Sequence, residues 1–219
     1  MASIEVAGLD VAGLRHPLSL SVPTGVVRAV VIGDRRVARA VADAVTGITP
    51  TPAVTISGPA HRRVRLVPSD GALLPHLTVL QNILAARPST RHTDQAEQEV
   101  RAKAAGYGLD GLLDRYPHEI PVGRRRMTGL ARALQGRPNA LVIEDDPATP
   151  SWGALLSTAW RGYQVRPDGS TRDGPRTPEL LAGVATLLIV PTVDRATAFD
   201  AEPIRPAYEG KGGDLRGVA

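Results

Sequence analysis

Three short apolar runs constrain this chain more than any other feature. Residues 26–32 (VVRAVVI) are apolar except for Arg28, residues 140–143 read ALVI, and residues 186–190 read TLLIV. A strand with one wet face alternates apolar and polar side chains. A run apolar throughout suits a strand covered on both faces, as in a parallel sheet. Helix-forming stretches separate the runs, at 37–46 and across 75–137. Alternating strands and helices imply an α/β fold, with the helical stretch inserted into the sheet. Further strand signals lie at 4–11 (IEVAGLDV) and 18–22 (LSLSV), around Gly13 and His16, and at 53–57 and 64–67. The N-terminal strands are expected to be antiparallel.

The helical signals are specific. Thr78-Val-Leu-Gln81 has the residues of a capping box, with Val79, Leu80, Ile83 and Leu84 on one face of the helix that follows. Asp94-Gln-Ala-Glu97 opens a second, polar helix. Met127, Leu130, Ala131 and Leu134 recur at helical spacing, which predicts an amphipathic helix over 124–135 ended by Gly136-Arg-Pro138. A helix is expected near 152–162 and another over 180–185. Residues 164–177 are polar and rich in Gly and Pro, a loop composition, as is the tail from 204. No internal repeat is found.

Composition excludes more than it proposes. Among 219 residues there is no cysteine, so neither a disulfide framework nor a thiolate metal site is available. MASIEVAGLD lacks a basic-then-apolar leader pattern, and the run from Leu180 to Val190 is too short to span a bilayer. A cytoplasmic location is expected, with membrane contact through a partner. The net charge of +4 is carried almost wholly by arginine, since Lys103 and Lys211 are the only lysines. The basic clusters are scattered and lack interleaved aromatics, so nucleic acid is not expected as a partner.

VIGDRRVARAVADAVTG, residues 31–47, has the outline of a phosphate-binding loop: a strand, Gly33, then a helix that stops at Gly47. Such loops read G-x-x-x-x-G-K-[ST], because glycines let backbone N–H groups converge on phosphate oxygens, the Lys reaches the β/γ-phosphates and the hydroxyl holds Mg²⁺. Here Ala38, Arg39 and Ala40 stand where the second Gly, the Lys and the Ser/Thr belong.

Later segments place this outline in a family. LVPSDGALLPHLTVLQNI (66–83) and LLDRYPHEIPVGRRRMTGLARALQGRPNALVIEDDPA (112–148) follow it in order. Together they resemble the ATP-binding cassette (ABC) of ABC transporters, over about residues 3–200. The first resembles the Q-loop segment, with Ser69 at the Gln position. The second resembles the signature helix leading into the Walker B strand. The resemblance implies a P-loop NTPase-like core at 1–69 and 138–203, a helical signature subdomain at 70–137, and a flexible tail at 204–219. It implies ATP and Mg²⁺ as cofactors and a membrane-spanning transporter subunit as partner, with other ABC ATPase subunits as further candidates.

Every element that touches nucleotide in the family departs from its pattern. Arg36 and Ala38 replace the inner glycines of the P-loop, and their side chains would crowd the phosphates. Arg39 keeps a charge at the Lys position, but as a planar fork. Ala40 and Val41 bring no oxygen to Mg²⁺. Asp145 falls at the metal-orienting Asp of Walker B. Asp146 falls at the catalytic Glu position, one methylene too short to position water well. In the signature, Ile120-Pro-Val-Gly-Arg124, only Gly123 matches. Thr192 stands near the switch His, and no aromatic residue precedes Tyr107 to stack on adenine.

Several readings stay open from the residues alone. The strand-like run before Gly33 and the turn after it are either a weak anion site or an ordinary strand–turn–helix. Asp145 and Asp146 are either ligand-facing carboxylates or a solvated acidic turn. Arg124–Arg126 is either an anion site or a charged, solvated helix start. Leu73, Leu74 and Leu77 are either core or the groove that, in the family, receives a helix from the membrane subunit. The expectation is a degenerate cassette, a pseudo-ATPase with a structural or regulatory role, whose isolated chain does not hydrolyse ATP. The alternative is an ATP-hydrolysing transport subunit with unusual motifs.

Overall fold

A computed structural model describes residues 3–59, 64–86, 94–156, 179–196 and 203–206. The expected loop at 164–177, the second half of the 152–162 helix and residues 207–219 of the tail lie outside them. Strands β1 (Ser3–Leu9), β2 (Leu18–Pro23), β3 (Val27–Val31), β4 (Val54–Ser57), β5 (Val64–Val67), β6 (Ala140–Glu144) and β7 (Ala185–Val190) form two sheets. β1 pairs antiparallel with both β2 and β4. β3, β7, β6 and β5 lie side by side in that order, all parallel.

The apolar runs behave as a doubly covered sheet requires. Leu141 and Ile143 of β6 point into one core, with helices α2 (Val79–Leu84), α3 (Asp94–Lys103) and α4 (Val122–Gln135). Ala140 and Val142 point into the other, shared by β1, β2 and helix α1 (Arg35–Thr46). Alternate residues of one strand thus feed two hydrophobic layers, which is why no polar residue interrupts it. Helices α2, α3 and α4 all fall between β5 and β6, as the insertion reading expects.

Local signals hold closely. The Thr78–Gln81 capping box closes in both directions, with Gln81 N donating to Thr78 Oγ1 and Thr78 N donating to Gln81 Oε1. Gly47 ends α1 in the left-handed region at φ 76°, its N–H donating to the Ala44 carbonyl. The helix expected over 180–185 is a single 3₁₀ turn, Glu179–Leu181, because Ala185 already joins β7 opposite Ala140. The first residue of the expected tail, Ile204, is not loose. Ile204 pairs with edge strand β3, its N–H donating to the Ala29 carbonyl and its carbonyl accepting from Val31 N. An edge strand presents unpaired backbone groups, and this segment satisfies two of them.

Candidate functional site

The first component is the turn from β3 into α1. β3 ends at Val31 and α1 begins at Arg35, so the turn is only Ile32-Gly33-Asp34. Arg36, Ala38, Arg39, Ala40 and Val41 are all residues of the helix. The crowding expected of Arg36 and Ala38 therefore takes another form: the backbone that would wrap a phosphate is wound into α1. The helix N-terminus is met by Asp34, whose Oδ1 accepts from Arg36 N at 2.7 Å and Val37 N at 3.3 Å. A carboxylate of the chain itself occupies the anion position that helix termini favour. Val41 is buried against the sheet, and Gly33 and Arg36 are exposed.

The second component is the end of β6. Glu144, Asp145 and Asp146 leave the sheet in different directions. Glu144 sits half-buried near Arg39, 3.5 Å from its Nη1. Arg39 also holds Asp43 at 2.9 Å, one turn along α1. Burial raises the Glu144 pKa, and the neighbouring Asp43 and Asp70 add to the rise while Arg39 and Arg35 oppose it. Asp146 meets exposed Arg35 at 2.8 Å and accepts from Ala148 N at 2.9 Å.

The Asp145 side chain is buried and bound on both oxygens. Oδ1 accepts from Arg126 Nη2 at 2.7 Å and Oδ2 from Arg195 Nη1 at 2.7 Å. The acidic strand end is thus no solvated turn. Arg126 corrects a second expectation: the Arg124–Arg126 cluster is not a uniformly solvated helix start, because Arg126 is fully buried. Its guanidinium lies 4.4 Å from the centre of the Trp152 ring, donates to Thr149 Oγ1 at 2.7 Å and reaches the Pro150 carbonyl. Desolvation lowers its pKa, and the Asp145 carboxylate works against that. Trp152 donates its indole N–H to the Glu144 carbonyl at 2.8 Å. Arg195 also donates to the Pro147 and Thr149 carbonyls, so the segment after β6 is tied from two sides.

A cleft of about 580 Å³ opens between these components, lined by Arg35, Arg39, Ser69, Asp70, Glu144 and Asp146 among others. Ser69 reaches it from the segment after β5. That segment is pressed onto α4: a Cβ on Gly71 would lie 2.4 Å from the Arg125 carbonyl oxygen, and one on Gly129 would lie 2.7 Å from the Gly71 oxygen. Arg132 donates to the Gly71 and Ala72 carbonyls at 2.9 and 2.8 Å.

This arrangement of sheets, helical insertion and strand ends is found in known proteins. No family model matches the chain. Over 143 residues, 64% of its length, it is 38% identical to the Fe(3+) ions import ATP-binding protein of Pseudomonas fluorescens, covering 36% of that protein. Over 98 residues, 45% of its length, it is 36% identical to the molybdate/tungstate import ATP-binding protein of Archaeoglobus fulgidus, covering 38% of it. Among solved structures, CbiO1 of Clostridium perfringens, part of the ABC transporter complex cbiONQ, matches 90% of the chain with TM-score 0.64 at 14% identity, over 81% of its own length. A chain of an ABC transporter in an inward-facing conformation matches 90% with TM-score 0.65 at 13% identity, over 76% of its own length. The chain has the fold of an ATP-binding cassette. It spans well under half the length of the curated relatives it matches.

Within this fold the remaining expected positions are far from uniform. Gly123 is buried, and a Cβ there would meet the Leu155 side chain at 2.9 Å, so it serves close packing of α4 on residues 150–155. Thr192 is exposed in the turn after β7, three residues before Arg195. Leu73 and Leu77 are half-buried and Leu74 is exposed. Their loop is knotted by fully buried Asn82, which donates to the Leu74, Leu77 and Thr78 carbonyls and accepts from Leu74 N.

Asp34, Trp152 and Arg195 are residues the sequence reading missed, and Arg126, named only as part of the Arg124–Arg126 cluster, was not expected to be buried against Asp145. Arg126 had a signal: it lies four residues before Leu130 and seven before Ala133, on the buried face of α4. Asp34 had the N-cap residue type directly before a helix. Arg195 had none.

Proposed function

We propose that this chain is a degenerate ATP-binding cassette subunit that serves a membrane transporter complex structurally or in regulation, without hydrolysing ATP. On this reading residues 1–69 and 138–203 are its core and 70–137 its helical subdomain. It sits on the cytoplasmic side of the membrane, held by a membrane-spanning subunit, beside other cassette subunits where the complex has them. Among the described residues no helix is long and apolar enough to cross a membrane itself. The relatives named above are ATP-binding import proteins, which supports the transporter setting.

The observation that carries the pseudo-ATPase reading is Asp145. Phosphoryl transfer draws its rate from positioned phosphate contacts and Mg²⁺. The carboxylate at the metal-orienting position has both oxygens in ion pairs with arginine. The α1 N-terminus supports the same reading, since Asp34 holds the N–H groups a phosphate would need. Arg39 at the Lys position is directed to Asp43 and Glu144. Asp146 at the Glu position is paired with Arg35.

The isolated chain is expected to show no ATP turnover above background and weak or no nucleotide binding. A turnover that disappears in Asp145→Ala would overturn this, as would a Mg²⁺-dependent, saturable nucleotide titration. A second reading, an ATP-hydrolysing subunit with unusual motifs, is favoured by one observation, the open cleft between Arg35, Arg39 and Ser69. The same titration separates the two. Because P-loop and signature positions both depart from the family pattern, pairing with an intact cassette would leave each shared site incomplete. This chain is therefore proposed to sit beside a two-cassette motor, not to form half of one.

A further inference from the structure

The residues at the Walker B position do not fit a divalent cation. Asp145 is bound on both oxygens, and Ala40 and Val41 supply no oxygen from α1. Among the described residues no group of three or more His, Asp or Glu side chains is placed to hold a metal. What the geometry offers at that position is positive charge already in place. Arg126 arrives from α4 and Arg195 from the short helix Val193–Ala196, and their guanidinium groups meet one buried carboxylate from opposite sides.

We infer that Arg126 and Arg195 together replace a divalent cation at Asp145, forming a permanent three-way clamp that joins the helical insertion, the end of β6 and the segment after β7. Two guanidinium groups carry the formal charge of one divalent ion. Each is held by more than the carboxylate: Arg126 by Thr149, Pro150 and the Trp152 ring, Arg195 by the Pro147 and Thr149 carbonyls. An ion would come and go with its ligand; these cations are covalently part of the chain. Their donors are fork-shaped and satisfy several acceptors at once, which an ammonium point charge does not. The clamp therefore holds α4 against the core whether or not any ligand is present. This inference rests on the pseudo-ATPase reading above and adds the mechanism by which the site is closed.

The test uses the full chain without nucleotide. Thermal unfolding is followed in EDTA and in Mg²⁺, and Mn²⁺ binding is read from the loss of the free-ion electron paramagnetic resonance signal. The unsubstituted chain is expected to unfold at the same temperature in both buffers and to retain no Mn²⁺ that depends on Asp145. Arg195→Gln removes one cation and frees Asp145 Oδ2 beside the cleft that Asp145 lines. That variant is expected to unfold at lower temperature in EDTA, to recover part of the loss in Mg²⁺, and to bind Mn²⁺ at least about tenfold more tightly than the unsubstituted chain. Adding Asp145→Asn to it is expected to remove the metal response. Arg195→Lys, which keeps the charge, is expected to show none.

Mn²⁺ retained by the unsubstituted chain and lost in Asp145→Asn would overturn the clamp. So would an Arg195→Gln chain that is destabilised, or fails to fold, equally in EDTA and Mg²⁺, since a replaceable charge would be rescued. ATP turnover by the unsubstituted chain would instead break the pseudo-ATPase reading and leave these metal measurements standing.

Discussion

The ends of β3 and β6 meet the same cleft and solve opposite problems. At the end of β3 the cap is local and the ion pairs are wet. Asp34 caps the helix two and three residues away, and Arg35 and Arg39 form ion pairs with exposed guanidinium groups. At the end of β6 the solution is distant and dry. Asp145 is satisfied by arginines 19 and 50 residues away in sequence, with almost no exposure of the carboxylate or of Arg126. Ion pairs in water are worth little, because the solvent competes and the side chains lose entropy. A buried charge left without its partner is costly, because nothing replaces the lost water. The same residue types therefore carry different weight at the two strand ends, and the difference is measurable.

Arg126→Met is the most severe of the substitutions, because it keeps most of the volume and removes the cation beside the Trp152 ring. It leaves Asp145 half-paired in the interior and is expected to cost about 3–5 kcal/mol in chemical denaturation. A loss no larger than that of an exposed ion pair would mean that the β6 end is not the stronger of the two. At the β3 end, Asp34→Ala deletes an N-cap and is expected to cost about 1 kcal/mol, with α1 retained in circular dichroism. Asp34→Asn, which still accepts from the helix N–H groups, is expected to recover most of the loss.

Glu144 lies between the two ends and offers a pH test. Burial raises its pKa, so the folded state takes up the proton more readily than the unfolded chain. Its share of stability is present in acid and is lost as pH rises through the raised value. Glu144→Gln is thus expected to be stabilising at neutral pH by under about 1 kcal/mol, the weak pair with Arg39 offsetting part of the gain. That advantage is expected to shrink as pH falls below the raised pKa and to vanish below the ordinary carboxylate value. A variant whose advantage grows in acid would reverse the sign. The smallest effect is Arg35→Ala. Its guanidinium is 82% exposed although it lies 2.8 Å from Asp146, and the substitution is expected to change stability by no more than about 0.5 kcal/mol.

Much of the scaffold was legible from residues close together in the chain. The Thr78–Gln81 box involves residues three apart, Gly47 stops its own helix, and the apolar runs at 140–143 and 186–190 mark buried parallel strands by composition alone. The expected helix over 180–185 failed because local helix formers there compete with β7, whose pairing to β6 begins at Ala185. Ile204 sits in a stretch of loop composition, yet the open edge of β3 draws it into pairing.

The candidate site divides in the same way. The expected departures from the cassette resemblance were read along the chain, because motif positions are counted there: Arg39 was expected at the Lys position, Ala40 and Val41 without useful oxygens, and Asp146 a methylene short. The sequence by itself also held the residue that caps α1, since an N-cap acts within its own first turn. Which side chains meet at the end of β6 was settled by the fold. Nothing along the chain links Arg126, Asp145, Trp152 and Arg195. They meet because β6 and β7 are hydrogen-bonded neighbours, which brings the turns after both strands together, and because Gly71 and Gly129 let the segment after β5 settle against α4. Burial then turns an ordinary set of charges into a clamp, and burial is a property of the folded surface, not of any stretch of sequence.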